Sequence, residues 1–334
     1  MNKLSYFIFF IFLLSCTNNS TTEKYQQKRD NIINIKSKIK EINVESVLIG
    51  GRTRLSTINN YLIIRDYKSF DNLIHIFDKS NFKYIASCIH KGEGPNEITN
   101  MGHIAIDEDN HNLYITDHGK QKIFSYNIDS ILINQSYQPH IKANINIELF
   151  PNEYHYINDT VSIGSVIKPT GHSGYDQYVA KWNITTGKID LMNYSHPEIE
   201  KKRICIAISS ENKIYAESYY HHDLITICDF NGNLLYNIYG PQWNSKKTNK
   251  VLYYSNIVFG KNNIIASSSF GRDNFSKDFY PTSLIIFNKD GDYIKTLETG
   301  YKIEDFCYDK DNNRVIMCLN DDIQFTYFEL NDLI

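Results

Sequence analysis

Residues 88–129 read CIHKGEGPNEITNMGHIAIDEDNHNLYITDHGKQKIFSYNID. This is a glycine-rich corner followed by three short runs with tight turns between them. Ile104 and Ile106 alternate with Ala105 and Asp107, the period of a half-buried strand. Leu113 with Ile115, then Ile123 with Ser125, continue that period. Residues 108–112 (EDNHN) are turn chemistry, because Asp and Asn side chains bond their own backbone and tolerate a left-handed residue. Three antiparallel strands of about five residues, joined by short loops, make most of a propeller blade. Upstream, Gly92 and Gly94 are expected at positive φ, and Pro95 fixes the next turn. GEGPNE is then a rigid corner carrying the chain from one blade's outer edge to the next blade's centre.

The unit recurs, most visibly in its last hairpin. Runs ending in Asp78, Asp129, Asn183, Asp229 and Asn288 are each followed by a turn and another short run. Asn231-Gly232 and Asp290-Gly291 lie inside two of these hairpins, and such pairs are strong hairpin signals. The markers lie about 50 residues apart, a spacing that points to four-stranded blades, none of which buries its faces alone. A sixth unit begins near Lys302, and its outermost strand is missing when the chain stops. Residues 40–49 have no blade of their own. Ile32, Ile35, Ile39 and Ile42 would also suit a helix face, but a strand here completes the sixth blade and removes an exposed edge. The expected fold is all-β: a six-bladed β-propeller over residues 36–334, its ring closed by an N-terminal strand completing the last blade.

The chain of 334 residues carries a formal net charge of −3. Nucleic-acid binding calls for a basic face, so nucleic acid is excluded as a partner. The N-terminus is a separate piece. Lys3 precedes an apolar run over residues 4–14, too short to span a bilayer and suited to a signal peptide over residues 1–15. Residues 16–35 are polar at their start and without period, and are expected to form a solvated tether. Leu13-Leu14-Ser15-Cys16 resembles a bacterial lipobox, which implies cleavage before Cys16 and lipidation of Cys16. The membrane is then a partner through that lipid. No Asp follows Cys16 and no acidic run follows, so the expected address is the outer membrane, facing the periplasm.

Five cysteines remain after Cys16, an odd number without tight spacing, which argues against a disulfide framework. If Tyr308 faces Arg314, Cys307 faces Val315 and Cys318 faces Glu304, so that pair is out of register. All five are expected to be small buried hydrophobes.

The GEGPNEI corner, followed by IAIDEDNHNLYITD and KIFSYN, resembles the six-bladed propeller lipoproteins of Bacteroidetes-type bacteria. Their corner commonly reads G-x-G-P-G-E-F; here Asn96 and Ile98 stand where those proteins carry Gly and Phe. The chain is more distantly similar to NHL and TolB-like propellers. The resemblance implies a fold and an anchor, and no activity.

In a propeller the loops joining strands one to two and three to four share a face. Here these are short turns. The opposite face collects long, chemically rich loops starting at Arg65, His90, Asp117, Ser165, Ser218, Tyr239 and Ser268. Binding residues favour loops on a rigid scaffold. The ligand-binding candidates are Arg65, His90, Lys91, Glu93, Asp117, His118, Tyr219, His221, His222, Trp243 and Arg272, a mix suited to a small polar ligand or a protein partner. Trp243 and Arg272 are expected to lie outside the core.

No catalytic residue and no cofactor is assigned. His221 and His222 are adjacent, so on a strand they point oppositely and share no ion. Near the starts of inner strands stand His103, Asn146, Asn256 and Glu304. Calcium in the tunnel is weighed there, but calcium takes six to eight oxygens and only one of these is a carboxylate, so a water-filled tunnel is expected. No nucleophile elbow or phosphate loop is present. The sequence therefore points to a non-catalytic binding or scaffold lipoprotein, monomeric, working through its loop-rich face. The alternative is a metal-dependent hydrolase or lyase, lactonase-like, at the tunnel mouth.

Overall fold

The computed structural model describes residues 22–334, apart from residues 135–136, 172–173, 247–248, 332 and 334. The signal peptide and Cys16 lie outside the described residues. Six antiparallel sheets form a ring. Blade 1 is Thr53–Ile58, Tyr61–Asp66, Asn72–Asp78 and Tyr84–His90, from the axis outward. Blade 2 is Met101–Asp107, Asn112–Asp117, Lys122–Asn127 and His140–Asn144. Blade 3 runs from Phe150–Asn158 to Ile189–Leu191, blade 4 from Ile204–Ser209 to Leu234–Tyr239, and blade 5 from Val251–Phe259 to Tyr293–Glu298. Blade 6 has three C-terminal strands, Ile303–Asp309, Arg314–Leu319 and Phe325–Glu329, and its fourth is Lys40–Glu41 from the N-terminal end.

The closing strand is thus present, and shorter than residues 40–49. Only Lys40 and Glu41 pair, opposite Tyr327 and Thr326, and the Ile42 amide adds a bond to the Phe325 carbonyl. Ile42 and Ile49 then turn into the core shared by blades 6 and 1.

The solvated tether is corrected over residues 22–35. Glu23–Tyr25 adds a fifth strand to blade 4, parallel to its outer strand, and Ile32–Asn34 does the same for blade 5. Side-chain chemistry explains the strap. The Arg29 side chain is buried, donates to Asp223 Oδ1 at 2.8 Å, and lies over the Phe287 ring. Ile35 is fully buried between blades 5 and 6. Polar composition misled because edge pairing recruits backbone groups, which any composition supplies.

Turn chemistry accounts for the blade phase. The side-chain oxygens of Asp78, Asn183 and Asp229 each accept the backbone N–H two residues on. Asn288 accepts from Asp292 N. Gly232 and Gly291 take φ of 80° and 85°, which a side chain would strain. Blade 2 differs from expectation. Asn127 accepts from Ser130 N and caps a short helix, Ile128–Ile133, and Asp129 bonds His111 instead of turning a hairpin. The fourth strand is delayed to His140–Asn144.

The corner also works differently. Gly92 and Gly94 are not among the positive-φ residues. The Glu97 carboxylate folds over them: Oε2 accepts from Gly94 N at 2.8 Å, and a Cβ on Gly92 would collide with that oxygen. Glycine is needed there for close approach. Lys120 Nζ binds the carbonyls of Gly94 and Glu97 and locks the corner to blade 2.

All five described cysteines are free; four are buried and Cys88 is half-buried. In blade 6, Cys307 lies opposite Ile316 and Cys318 opposite Asp305, one place along from the expected register. Among the described residues no helix is long and apolar enough to cross a membrane.

Candidate functional site

Inner strands start at one face of the ring and run to the other, so the strand directions fix the faces. Turns at residues 59–60, 78–83, 229–233 and 288–292 close one face. The loops 67–71, 91–100, 220–223, 240–246 and 274–282 gather on the other.

Most of the loop candidates turn out to be held by their own protein. Asp117 is fully buried: it accepts from the backbone N–H groups of Thr99, Asn100, Gly119 and Lys120. It ties one loop to the incoming connection, and Asp66 repeats this with Gly50, Lys68 and Ser69. Tyr219 is core; its hydroxyl donates to Glu217, which also pairs with the buried Lys202. His221 and His222 point apart, bonding the carbonyls of Val251 and Asn244. His118 packs edge-on against Phe150.

Trp243 corrects an expectation. It is half-buried against His196, Tyr239 and His222, with ring centroids 4.8–5.8 Å away. It therefore belongs to the packing. Arg272 is exposed, but its guanidinium pins the loop beside it, bonding the Tyr280 carbonyl and Thr282 Oγ1.

His90 and Lys91 do come together on the loop-rich surface. His90 Nδ1 lies 2.8 Å from Asp71, and Lys91 lies over the Phe70 ring. Glu93 is exposed nearby. Phe70 is 96% exposed, and on the same face Leu48 is 95% and Phe275 73% exposed. Sequence reasoning missed these apolar tips, although a lone Phe within a polar loop is a readable signal.

Arg65 is placed elsewhere: its side chain is buried and lines a cavity of about 290 Å3 on the ring axis. Each blade contributes a polar residue to this cavity: Arg54, His103, Glu153, Cys205, Asn256 and Asp305. Several of these stitch neighbouring blades. His103 Nε2 contacts the Tyr154 carbonyl at 2.7 Å, Cys205 Sγ donates to the Ser255 carbonyl, and Asn256 Nδ2 donates to Asp305. Asp305 also accepts from Leu55 N and lies 3.9 Å from Arg54 Nε. Asn146 accepts from Glu148 N in its own loop, and Glu304 offers its carbonyl to Arg54.

The cavity perturbs its ionisable groups. Burial lowers His103 well below the ordinary histidine value, and Arg65 and His155 push it the same way. His155 is solvent-accessible inside the cavity yet enclosed by protein, and that desolvation lowers it to about 4. Burial raises the Glu153 carboxyl, against the pull of Arg54 and Arg65. Among the described residues no three His, Cys, Asp or Glu side chains come together to hold a metal ion. The cavity thus presents fixed charges and imidazoles held neutral by burial.

A family model described as 6-bladed beta-propeller, DUF5128, matches residues 22–263. No curated protein matches. Among solved structures, a DUF4221 family member from Bacteroides vulgatus is 11% identical with a TM-score of 0.57, over 87% of this chain and 94% of that one. The structure of U3-55K is 10% identical with a TM-score of 0.56, over 88% and 99%. A protein of Bacteroides fragilis is 12% identical with a TM-score of 0.56, over 92% and 98%. At these identities the likeness shows the fold alone.

Proposed function

The chain belongs to the DUF5128 family of six-bladed β-propellers, and from that premise we propose that it is a lipid-anchored, non-catalytic binding protein of the cell envelope. It engages a protein partner through its loop-rich face. The observation that carries this reading is the asymmetry of exposed apolar side chains. Leu48, Phe70 and Phe275 stand out on one face, with Lys91 over the Phe70 ring; the turns named above close the other with Asp and Asn, and there Ile133, at the end of the blade 2 helix, stands out alone among the described residues. Exposed apolar groups rimmed by polar ones mark protein-contact surfaces. Replacing Phe70 and Phe275 together by Asp is expected to abolish partner co-purification from detergent-solubilised envelopes and leave Tm within a few degrees of the parent. Changes of Asn81 and Asn233 to Ala, on the turn face, leave co-purification intact. Co-purification that survives the double change and fails with the turn-face changes would reverse the assignment.

The anchor rests on the lipobox and on the resemblance of the corner to Bacteroidetes-type lipoproteins. Each buried methylene of a lipid chain contributes about 0.8 kcal/mol to membrane binding. Thr22, which opens the described chain, lies six residues after Cys16, a reach of at most about 20 Å. The strand after it lies on the edge of blade 4, so a lipid on Cys16 holds that edge close to the bilayer. Cys16→Ser is expected to release the protein from membrane fractions or block its maturation. Unchanged membrane partition together with an unchanged intact mass would contradict this.

A further inference from the structure

The axial cavity is lined by two opposite charges, Arg65 and Glu153, that feel each other but make no contact ion pair among the described residues. Arg65 is only 7% exposed, yet its guanidinium makes a single long bond, Nη2 to Ser56 Oγ at 3.4 Å, and its Nε has no partner. On blade 3, Glu153 accepts no hydrogen bond and makes no contact ion pair among the described residues, although the charges of Arg54 and Arg65 reach it; the side chains of Arg65 and Glu153 both line the cavity. The other two charges there are spent on each other and on the backbone: Asp305 takes Leu55 N and Asn256 and sits beside Arg54. A buried charge without a close partner is costly; Arg65 is such a charge, and the half-buried Glu153 lines the same cavity.

The lining also has direction. The charged residues lie toward the loop-rich face, near the starts of the inner strands. Toward the turn face the same cavity is lined by Ile106, Tyr156, Ile208, Phe259 and Tyr308. A volume of about 290 Å3 is at the small end of ligand pockets.

We propose that the axial cavity binds a small zwitterion with an apolar tail, of the class of a hydrophobic α-amino acid. The ligand's carboxylate meets Arg65, its ammonium meets Glu153, and its tail points down the axis toward Ile208 and Phe259. A carboxylate alone would leave Glu153 unpaired, and an amine alone would leave Arg65 unpaired. The zwitterion satisfies both and adds no net charge to the site. This site is independent of the partner surface, and either can fail while the other stands.

The test is calorimetric titration of the full-length protein in detergent with L-leucine, L-phenylalanine and L-methionine. The controls are 4-methylpentanoate, which lacks the amine, 3-methylbutylamine, which lacks the acid, and glycine, which lacks the tail. At least one of the three amino acids is expected to bind, with each control at least tenfold weaker than the amino acid it is compared with. Glu153→Gln, nearly isosteric and not part of any blade stitch, is expected to weaken that amino acid at least tenfold and leave 4-methylpentanoate unchanged. Arg65→Gln gives the converse pattern with 3-methylbutylamine; if that variant fails to fold, Glu153→Gln still decides. Absence of binding by all three amino acids at millimolar concentration would overturn the proposal. So would binding that Glu153→Gln leaves unaltered, or binding no tighter than that of the controls.

Discussion

Deleting residues 22–41 is expected to leave a protein that aggregates, or that melts far below the parent. The segment supplies three edge strands, on blades 4, 5 and 6. It also supplies Ile35, fully buried between blades 5 and 6, a side chain whose burial stabilises by about 1.5–3 kcal/mol. With Arg29 gone, Asp223 stays buried beside the Tyr254 hydroxyl without its cation; removing one partner of a buried ion pair costs about 3–5 kcal/mol. Together these losses rival a typical domain stability of about 5–15 kcal/mol. Blade 6 would expose an unpaired edge at Phe325–Glu329, which invites intermolecular pairing. Arg29→Ala alone isolates the ion-pair part, and Lys40→Ala, whose pair with Glu329 is exposed, is expected to cost less than about 1 kcal/mol. A truncated protein with the parent's Tm would show that the strap contributes nothing to ring closure.

Asp309→Ala is expected to be the most damaging single change, costing about 3–5 kcal/mol and lowering Tm by roughly 10 °C. Asp309 is fully buried where the last blade meets the first. Its carboxylate pairs with Lys79 Nζ at 3.2 Å and with Arg314 Nε at 2.9 Å, and accepts from Asn312 Nδ2. Arg314 in turn bonds the Lys79 carbonyl and lies between the rings of Phe82 and Tyr327. Removing the carboxylate leaves the buried Arg314 guanidinium without its anion and leaves Lys79 with Asp311 alone. Burial alone raises the Asp309 carboxyl, but hydrogen bonds from Asn312 and Lys79 and the charges of Lys79 and Arg314 outweigh it and hold the carboxyl below the ordinary aspartate value. A folded-state value below the unfolded one means stability that is complete above the ordinary aspartate pKa of about 4 and is lost as pH falls through the folded value. The difference between parent and Asp309→Ala, measured by denaturant unfolding, is therefore expected to be full at pH 7 and to shrink below about pH 4. A difference that is small at pH 7, or flat down to pH 3, would contradict this role.

Blade number and phase were legible because the turn chemistry is local. Asp78, Asn183 and Asp229 each bond the amide two residues on, whatever the rest of the chain does. The same device misled once: Asn127 caps a helix, because the choice between a hairpin and a helical turn depends on the residues after the cap. Side-chain roles in the long loops were not legible. Whether Asp117 meets solvent or four backbone amides is decided by the approach of residues 99–100 from another loop. The axial residues were half legible. His103 and Asn256 are identifiable from their places near inner-strand starts. Arg65 reads as a loop residue until its pairing with Arg54 sets it on the axial side. The N-terminal strap was hidden because its strands contribute backbone pairing and a few anchors, Arg29 and Ile35, within polar text.

The loop-rich face as the working surface is tested most directly by site-specific photo-cross-linking in intact cells. A benzophenone side chain is placed singly at residues 70, 275, 81 and 233 of the full-length protein, with all four positions exposed on the surface. Positions 70 and 275 are predicted to give the same discrete cross-linked adduct on illumination, and positions 81 and 233 to give none. An adduct formed from positions 81 and 233 and absent from 70 and 275 would contradict the account and place the partner on the turn face.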